Sequence, residues 1–155
     1  MRGSWQYFFL KIISRLVCLL PYSWLLALGR MIGRLYYRMA ARQRDRALLQ
    51  IKERLGVSQD EAEQIIRRLF INLGQTFLEV MYLPVLTPAT MSQYIEIENR
   101  HYLDDAVAEG KGVAVLSAHI GNWERLGAGL AMYGFPVASI VKQKPNDQHN
   151  RILNE

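Results

Sequence analysis

Apolar residues in the middle of the chain fall at Ile65, Ile66, Leu69, Phe70, Leu73, Phe77, Val80 and Met81, the three-and-four spacing that lines one face of a helix. Ser58 and Glu61 stand three apart ahead of them as a capping box, and Pro84 follows, so the pattern predicts a helix from about Gln59 to Leu83. Downstream the period changes. Tyr94 to Glu98 alternates apolar and acidic residues like a short, half-exposed strand, and Arg100 to Glu109 predicts a short helix ended by Gly110. Gly112 to Ser117 and Pro136 to Val141 are mostly apolar runs of the kind found in buried strands, and Gly121 to Tyr133 reads as a loop leading into a helix closed by Gly134. Strand, helix, strand, helix, strand predicts an α/β sandwich of about three strands with flanking helices.

The N-terminal third follows a different rule. Trp5 to Tyr37 is strongly apolar but interrupted by Lys11, Arg15, Arg30 and Arg34, and its longest uncharged run, the 14 residues Leu16 to Gly29, is broken by Pro21. A helix of that length covers about 20 Å, short of a hydrocarbon core roughly 30 Å thick. A helix lying in a membrane interface, or a hairpin dipping into one leaflet, is therefore expected in place of a span, and the aromatics Trp5, Tyr7, Phe8, Phe9, Tyr22, Trp24, Tyr36 and Tyr37 suit the headgroup level. Arg15 and Pro21 also argue against a secretory signal. Arginines then recur every fourth position at Arg30, Arg34, Arg38, Arg42 and Arg46. On one continuous helix they form a winding stripe opposite Leu35, Met39 and Leu49, suited to phosphates or simply to solvent. The reading is thus a basic, apolar membrane-anchoring segment over 1–46 and the start of an α/β domain over 47–155.

Charge sharpens this division. The net charge of +5 arises from +8 over residues 1–46 and −3 over the remainder. Basic charge joined to apolar surface favours an anionic membrane, and without a stacking platform or recognition motif no nucleic-acid partner is expected. Cys18, the single cysteine, excludes an intrachain disulfide and any thiolate metal cluster, and His101 and His149 stand at no metal-ligand spacing, so neither metal nor cofactor is expected.

The chemistry concentrates in Ser117-Ala118-His119-Ile120-Gly121-Asn122-Trp123-Glu124. His119 follows an apolar run and Glu124 falls in the first turn of the next helix, a placement in which a carboxylate can fix the tautomer of an imidazole and leave its other nitrogen to take a proton from a hydroxyl. Gly121 lets a substrate or backbone approach closely, and Asn122 suits a helix N-cap. Taken alone, such a pair also fits an ordinary histidine satisfied by backbone groups and a favourable first-turn acid.

The stretch from Gly112 to Glu124 closely resembles the motif of the bacterial lipid A late acyltransferases, within the lysophospholipid acyltransferase superfamily, where a histidine is followed after four residues by an acid and Glu after Gly-Asn-Trp marks the lipid A branch. The order of an apolar N-terminus, a basic helix and a long amphipathic helix resembles that family as well. The resemblance implies transfer of a fatty acyl chain from an acyl carrier protein thioester to a hydroxyl of a lipid A precursor, at the cytoplasmic face of the bacterial inner membrane. His119 is then the general base and Glu124 its orienter, with Gly121, Asn122 and Lys142 near substrate and Arg30, Arg34, Arg38 and Arg42 at membrane or lipid phosphates. Lys142, Pro145 and Asn146 stand where the family has an arginine and an Asn-Pro motif, and lysine lacks the bidentate fork of arginine. Family members are longer, so the chain is expected to correspond to their N-terminal portion, inactive or weakly active alone. Two other functions fit the same residues: an acyltransferase for another glycolipid or a lysophospholipid, and a non-catalytic membrane-binding module.

Overall fold

The computed structural model describes residues 2–139, with the backbone alone for residues 2–7 and Leu10. The residues up to Tyr82 form one compact unit and Leu83–Ala138 another. In the first unit α1 spans Arg2–Cys18, α2 Tyr22–Met39, α3 Ala41–Leu55 and α4 Gln59–Met81. The second holds two 3₁₀ turns, Leu83–Val85 and Met91–Gln93, then α5 over His101–Ala108 and α6 over Trp123–Met132.

Local signals account for the helix ends. Ser58 caps α4, its hydroxyl oxygen accepting a hydrogen bond from the Glu61 backbone N–H at 3.3 Å, and Asp60 and Glu61 place negative charge on the first turn. Pro21 starts α2, its carbonyl accepting from the N–H groups of Trp24 and Leu25 at 2.9 and 3.0 Å. α3 ends on Gly56 at φ +63°.

The most extensive packing joins α2 to α4, antiparallel along Leu25, Gly29 and Gly33 on one helix and Ile66, Phe70, Gly74 and Leu78 on the other. Three glycines let the backbones touch. A Cβ on Gly33 would land on the Phe70 carbonyl oxygen and 2.7 Å from the Ile71 Cα, one on Gly29 would lie 2.7 Å from the Gln75 Cα, and one on Gly74 would strike the Gly29 carbonyl. At the far end of α4, the Tyr22 hydroxyl donates to Glu79 Oε1 at 2.5 Å and the Ser14 hydroxyl to the Met81 carbonyl at 2.8 Å, which ties α2 and α1 to the same turn. Near its start, Phe70 meets Tyr36 and Tyr37 with ring centroids 5.2 and 5.6 Å apart, and Ala47, Leu48 and Ile51 of α3 pack on the same cluster.

The structure corrects the expected α/β sandwich. Among the described residues the regular structure is helical, with no strand and no sheet. The helices expected near 59–83, 100–109 and 121–133 do form; the strands do not. Gly112–Ser117 is non-helical but exposed, with Val113 41%, Val115 56% and Leu116 99% accessible, so its apolar pattern meets neither a buried layer nor a ladder partner. In Tyr94–Glu98 two carbonyls that a neighbouring strand would bond are taken by side chains of α6 and its C-cap: Arg125 Nη2 donates to the Tyr94 carbonyl at 3.1 Å and the Tyr133 hydroxyl to that of Ile95 at 2.8 Å. The third run is non-regular over Pro136–Ser139 and then passes outside the described residues. A strand exists only by pairing, and apolar periodicity carries no information about a partner.

A second correction concerns the arginines. They do not share one helix, because α2 ends at Ala40, whose φ of −93° and ψ of 52° leave the helical region. Ala40 is buried beside Ile66 and Phe70, so the chain bends around a packed methyl group where neither glycine nor proline marks a stop.

Two predictions follow from this packing. Gly33→Ala should destabilise the first unit by about 2 kcal/mol or more, since the clash with rigid backbone outweighs the helix preference of alanine. Gly127→Ala, whose Cβ meets no atom within 4 Å inside α6, should instead stabilise its helix by about 0.5–1 kcal/mol. Urea unfolding of both variants checks the pair, and a neutral or stabilised Gly33→Ala protein would refute the close contact. The second prediction uses Cys18, whose partly buried thiol donates to the Met81 carbonyl at 3.5 Å. Burial pushes that thiol up from its ordinary value, with the Ser14 hydrogen bond acting weakly the other way. The folded chain therefore keeps the proton at a pH where the unfolded chain has lost it, and alkylation of the folded protein by iodoacetamide should rise at higher pH than alkylation in urea. Superimposable pH–rate curves would contradict this placement.

Candidate functional site

The second unit is organised around α6. Its N-cap is Asn122, whose side-chain oxygen accepts from the Arg125 backbone N–H at 3.1 Å, as its sequence position suggested. Behind that turn, Arg125 and Tyr133 anchor the helix to the carbonyls of Tyr94 and Ile95, Gly129 packs against the Ile95 side chain, and the Arg100 guanidinium lies 5.3 Å from the Tyr133 ring centroid and 5.2 Å from that of Phe135. α6 is thereby held at both ends, and its first turn carries Trp123 and Glu124.

The chain reaches this turn through a tight corner. The Ile120 N–H donates to the Ala118 carbonyl at 2.8 Å and Gly121 follows at φ +64°, a left-handed conformation that glycine adopts without strain. This corner brings His119 back over the helix start. Its ring centroid lies 4.7 Å from that of Trp123 with the planes tilted by 47°. Trp123 Nε1 in turn donates to Glu124 Oε1 at 3.1 Å. His119 and Glu124 thus converge on one indole, and among the described residues no hydrogen bond joins them directly. Trp123, which the sequence presented only as part of a motif, is the side chain that touches both. The signal was its position one residue before the acid and four after the histidine, with Gly121 between them to turn the chain back. Ile120, the chain neighbour of His119, is 82% exposed, so apolar surface adjoins the histidine. Lys142, Pro145, Asn146 and His149 lie outside the described residues. Among the described residues no group of three or more His, Cys, Asp or Glu side chains could hold a metal ion.

With the motif on a helix start and both ionisable side chains at one ring, the comparison with known families becomes decisive: the model of the bacterial lipid A biosynthesis acyltransferases matches residues 1–155. The chain belongs to that family. It is an acyltransferase of lipid A biosynthesis, and the family's activity places an acyl donor and a lipid A acceptor among its substrates. No curated protein and no solved structure matches it.

The first unit of this acyltransferase presents a second surface of interest. Arg30 is half-buried while Arg34 and Arg38 of α2, and Arg42 and Arg46 of α3, are exposed. On α2 each arginine is followed directly by a large apolar residue, Met31, Leu35 or Met39, and these are 59%, 55% and 74% exposed. One residue is about 100° of helix rotation, so a basic and an apolar stripe run side by side. Trp24 extends the apolar stripe, and Ile65, Leu69, Leu73 and Phe77 form another exposed apolar series along α4. On α1 a surface depression is lined by Phe8, Lys11, Ile12 and Arg15, the same mixture of apolar and basic groups. No described helix is long and apolar enough to cross a membrane.

Proposed function

We propose that His119 is the general base and Glu124 its electrostatic partner in the transfer of an acyl chain from an acyl carrier protein thioester to a hydroxyl of a lipid A precursor. The observation that supports this most is the convergence of the imidazole and the carboxylate on Trp123 at the start of α6. A lipid hydroxyl is almost wholly protonated at neutral pH, so attack on the thioester carbonyl requires a base that removes the proton as the C–O bond forms. The imidazole takes that proton. The resulting imidazolium is stabilised by the nearby carboxylate, and when the tetrahedral adduct collapses the C–S bond breaks and the proton passes to the departing thiolate. Atoms and charge balance without an acyl-enzyme. The N-terminus of α6 contributes partial positive charge beside the developing oxyanion. Gly121 keeps the corner before the helix free of a side chain, and Asn122 fixes the turn at which the acceptor would lie. A role for Lys142 at an acceptor phosphate belongs to the same reading.

The reaction joins two amphipathic partners, and we place it at the cytoplasmic face of the bacterial inner membrane, with the first unit as the lipid-contacting part. The neighbouring stripes of α2 support this: apolar side chains enter the interface while Arg34 and Arg38 of α2, with Arg42 at the start of α3, meet anionic phosphates, each worth about 1 kcal/mol close to such a surface. This is peripheral or single-leaflet attachment.

Two measurements test the reading. In acyl transfer from acyl carrier protein to a lipid A precursor, His119→Ala should lower kcat by about 10²- to 10⁴-fold with the fold intact. Glu124→Gln should do less damage, because the amide keeps a hydrogen-bond acceptor but not the charge that stabilises imidazolium. Near-normal turnover by His119→Ala would remove the proposed base. For the membrane, replacing Arg34, Arg38 and Arg42 together by Gln should weaken binding to anionic vesicles on the order of 10²-fold, and salt should mimic the effect. Unchanged flotation with anionic vesicles would separate this surface from the lipid.

A further inference from the structure

The proposed base and its carboxylate share no direct hydrogen bond among the described residues, yet both touch Trp123. The indole and imidazole ring centroids lie 4.7 Å apart with the planes tilted by 47°, and the indole N–H is bonded to the Glu124 carboxylate. We infer that Trp123 is a positioning residue for acyl transfer: it holds the imidazole by ring contact and passes the influence of Glu124 to it through the polarised indole. The inference rests on the proposed role of His119.

Three features carry it. The indole is anchored on the first turn of α6, which the Asn122 cap fixes, while His119 sits on an exposed loop corner with no other ring against it among the described residues. A loop imidazole open to solvent samples several rotamers, and contact with an anchored ring narrows them. Second, the face of an aromatic ring carries negative quadrupole and attracts a cation. In the proposed mechanism the imidazole gains positive charge as it takes the proton of the acceptor hydroxyl, so this contact strengthens in the transition state. Third, a carboxylate accepting from Nε1 withdraws the indole hydrogen and enriches the ring in electron density, so Glu124 reinforces the attraction without touching the imidazole. Trp123 is 39% exposed, so its bulk is not a core requirement of the second unit.

The test uses the full chain in the acyl transfer assay together with NMR of the indole N–H. Trp123→Phe keeps the ring and loses the N–H, and kcat should fall about 2- to 10-fold with KM little changed. Trp123→Leu loses ring and N–H, and kcat should fall about 10-fold or more. Relative to the unsubstituted protein, the Trp123 indole N–H resonance should move in Glu124→Gln, and the His119 ring protons should lose their ring-current displacement in Trp123→Leu but keep most of it in Trp123→Phe. These spectra report the bridge without reference to activity, and they hold the inference to account if the leucine variant folds poorly. An inactive His119→Ala protein beside a Trp123→Leu protein of wild-type kcat would overturn the positioning role and leave the base in place. An active His119→Ala protein would overturn the base, and the role of Trp123 with it. An indole resonance indifferent to Glu124→Gln would show that the carboxylate does not act through the ring.

Discussion

The first unit depends on backbone-to-backbone contact between α2 and α4, and that contact exists only because Gly29, Gly33 and Gly74 have no side chains. Each glycine sacrifices helix propensity, about 1 kcal/mol relative to alanine, and the loss is offset by dispersion between two close-packed helix surfaces and by what the approach brings together elsewhere. With the axes this near, Tyr36 and Tyr37 reach Phe70, and Tyr37 sits under the guanidinium groups of Arg44 and Arg67 at 5.4 and 5.6 Å. α3 then finds a seat on the cluster of Ala40, Ile66 and Phe70. Larger side chains along the α2–α4 seam would separate the helices and withdraw the surface on which α3 packs.

Because glycine and Leu25 take the inner face of α2, its large apolar residues are left for the outside. An ordinary soluble helix shows the reverse, with bulky apolar groups inward and charge outward. Here Met31, Leu35 and Met39 are exposed alongside arginines, and contiguous apolar surface of this kind marks a place where a partner or a membrane can bind. In the proposed lipid-contacting role a bilayer interface would cover it, since such an interface offers hydrocarbon and phosphate within one side-chain length.

How much of this was legible in the sequence depended on whether the signal was local. The capping residues Ser58 and Asn122 and the period of α4 act within a few residues of themselves, so α4 and α6 were readable. The His119 to Glu124 motif was readable as a pattern of residue types and led to the family. The strands were misread because Gly112–Ser117 has strand composition without a partner, and Tyr94–Glu98 has its carbonyls claimed from 31 and 38 residues away by Arg125 and Tyr133. The bend at Ala40 has no breaker in the sequence, since it is set by burial against Ile66 and Phe70. The spacing of Gly29 and Gly33 was visible, but its meaning required Gly74, which lies on another helix. Trp123 was visible too; its bridging geometry arises from the corner at Gly121, which returns His119 to the helix start.

The openness of the site bears on how the proposed reaction can work. An imidazole in water meets solvent protons and hydrogen-bond donors at every moment, and the field of a carboxylate is weakened by a high dielectric. In the proposed mechanism the effect of Glu124 on His119 therefore grows when substrate arrives and excludes water. In the proposed mechanism the exposed Ile120 next to His119 in the chain provides apolar surface that a fatty chain can cover, and covering it would dry the imidazole on one side while Trp123 lies against another. Binding energy of the acyl chain would then contribute to chemistry as well as to affinity. On this argument a donor with a shortened chain should lose kcat along with KM, whereas a chain that served only as a tether would change KM alone.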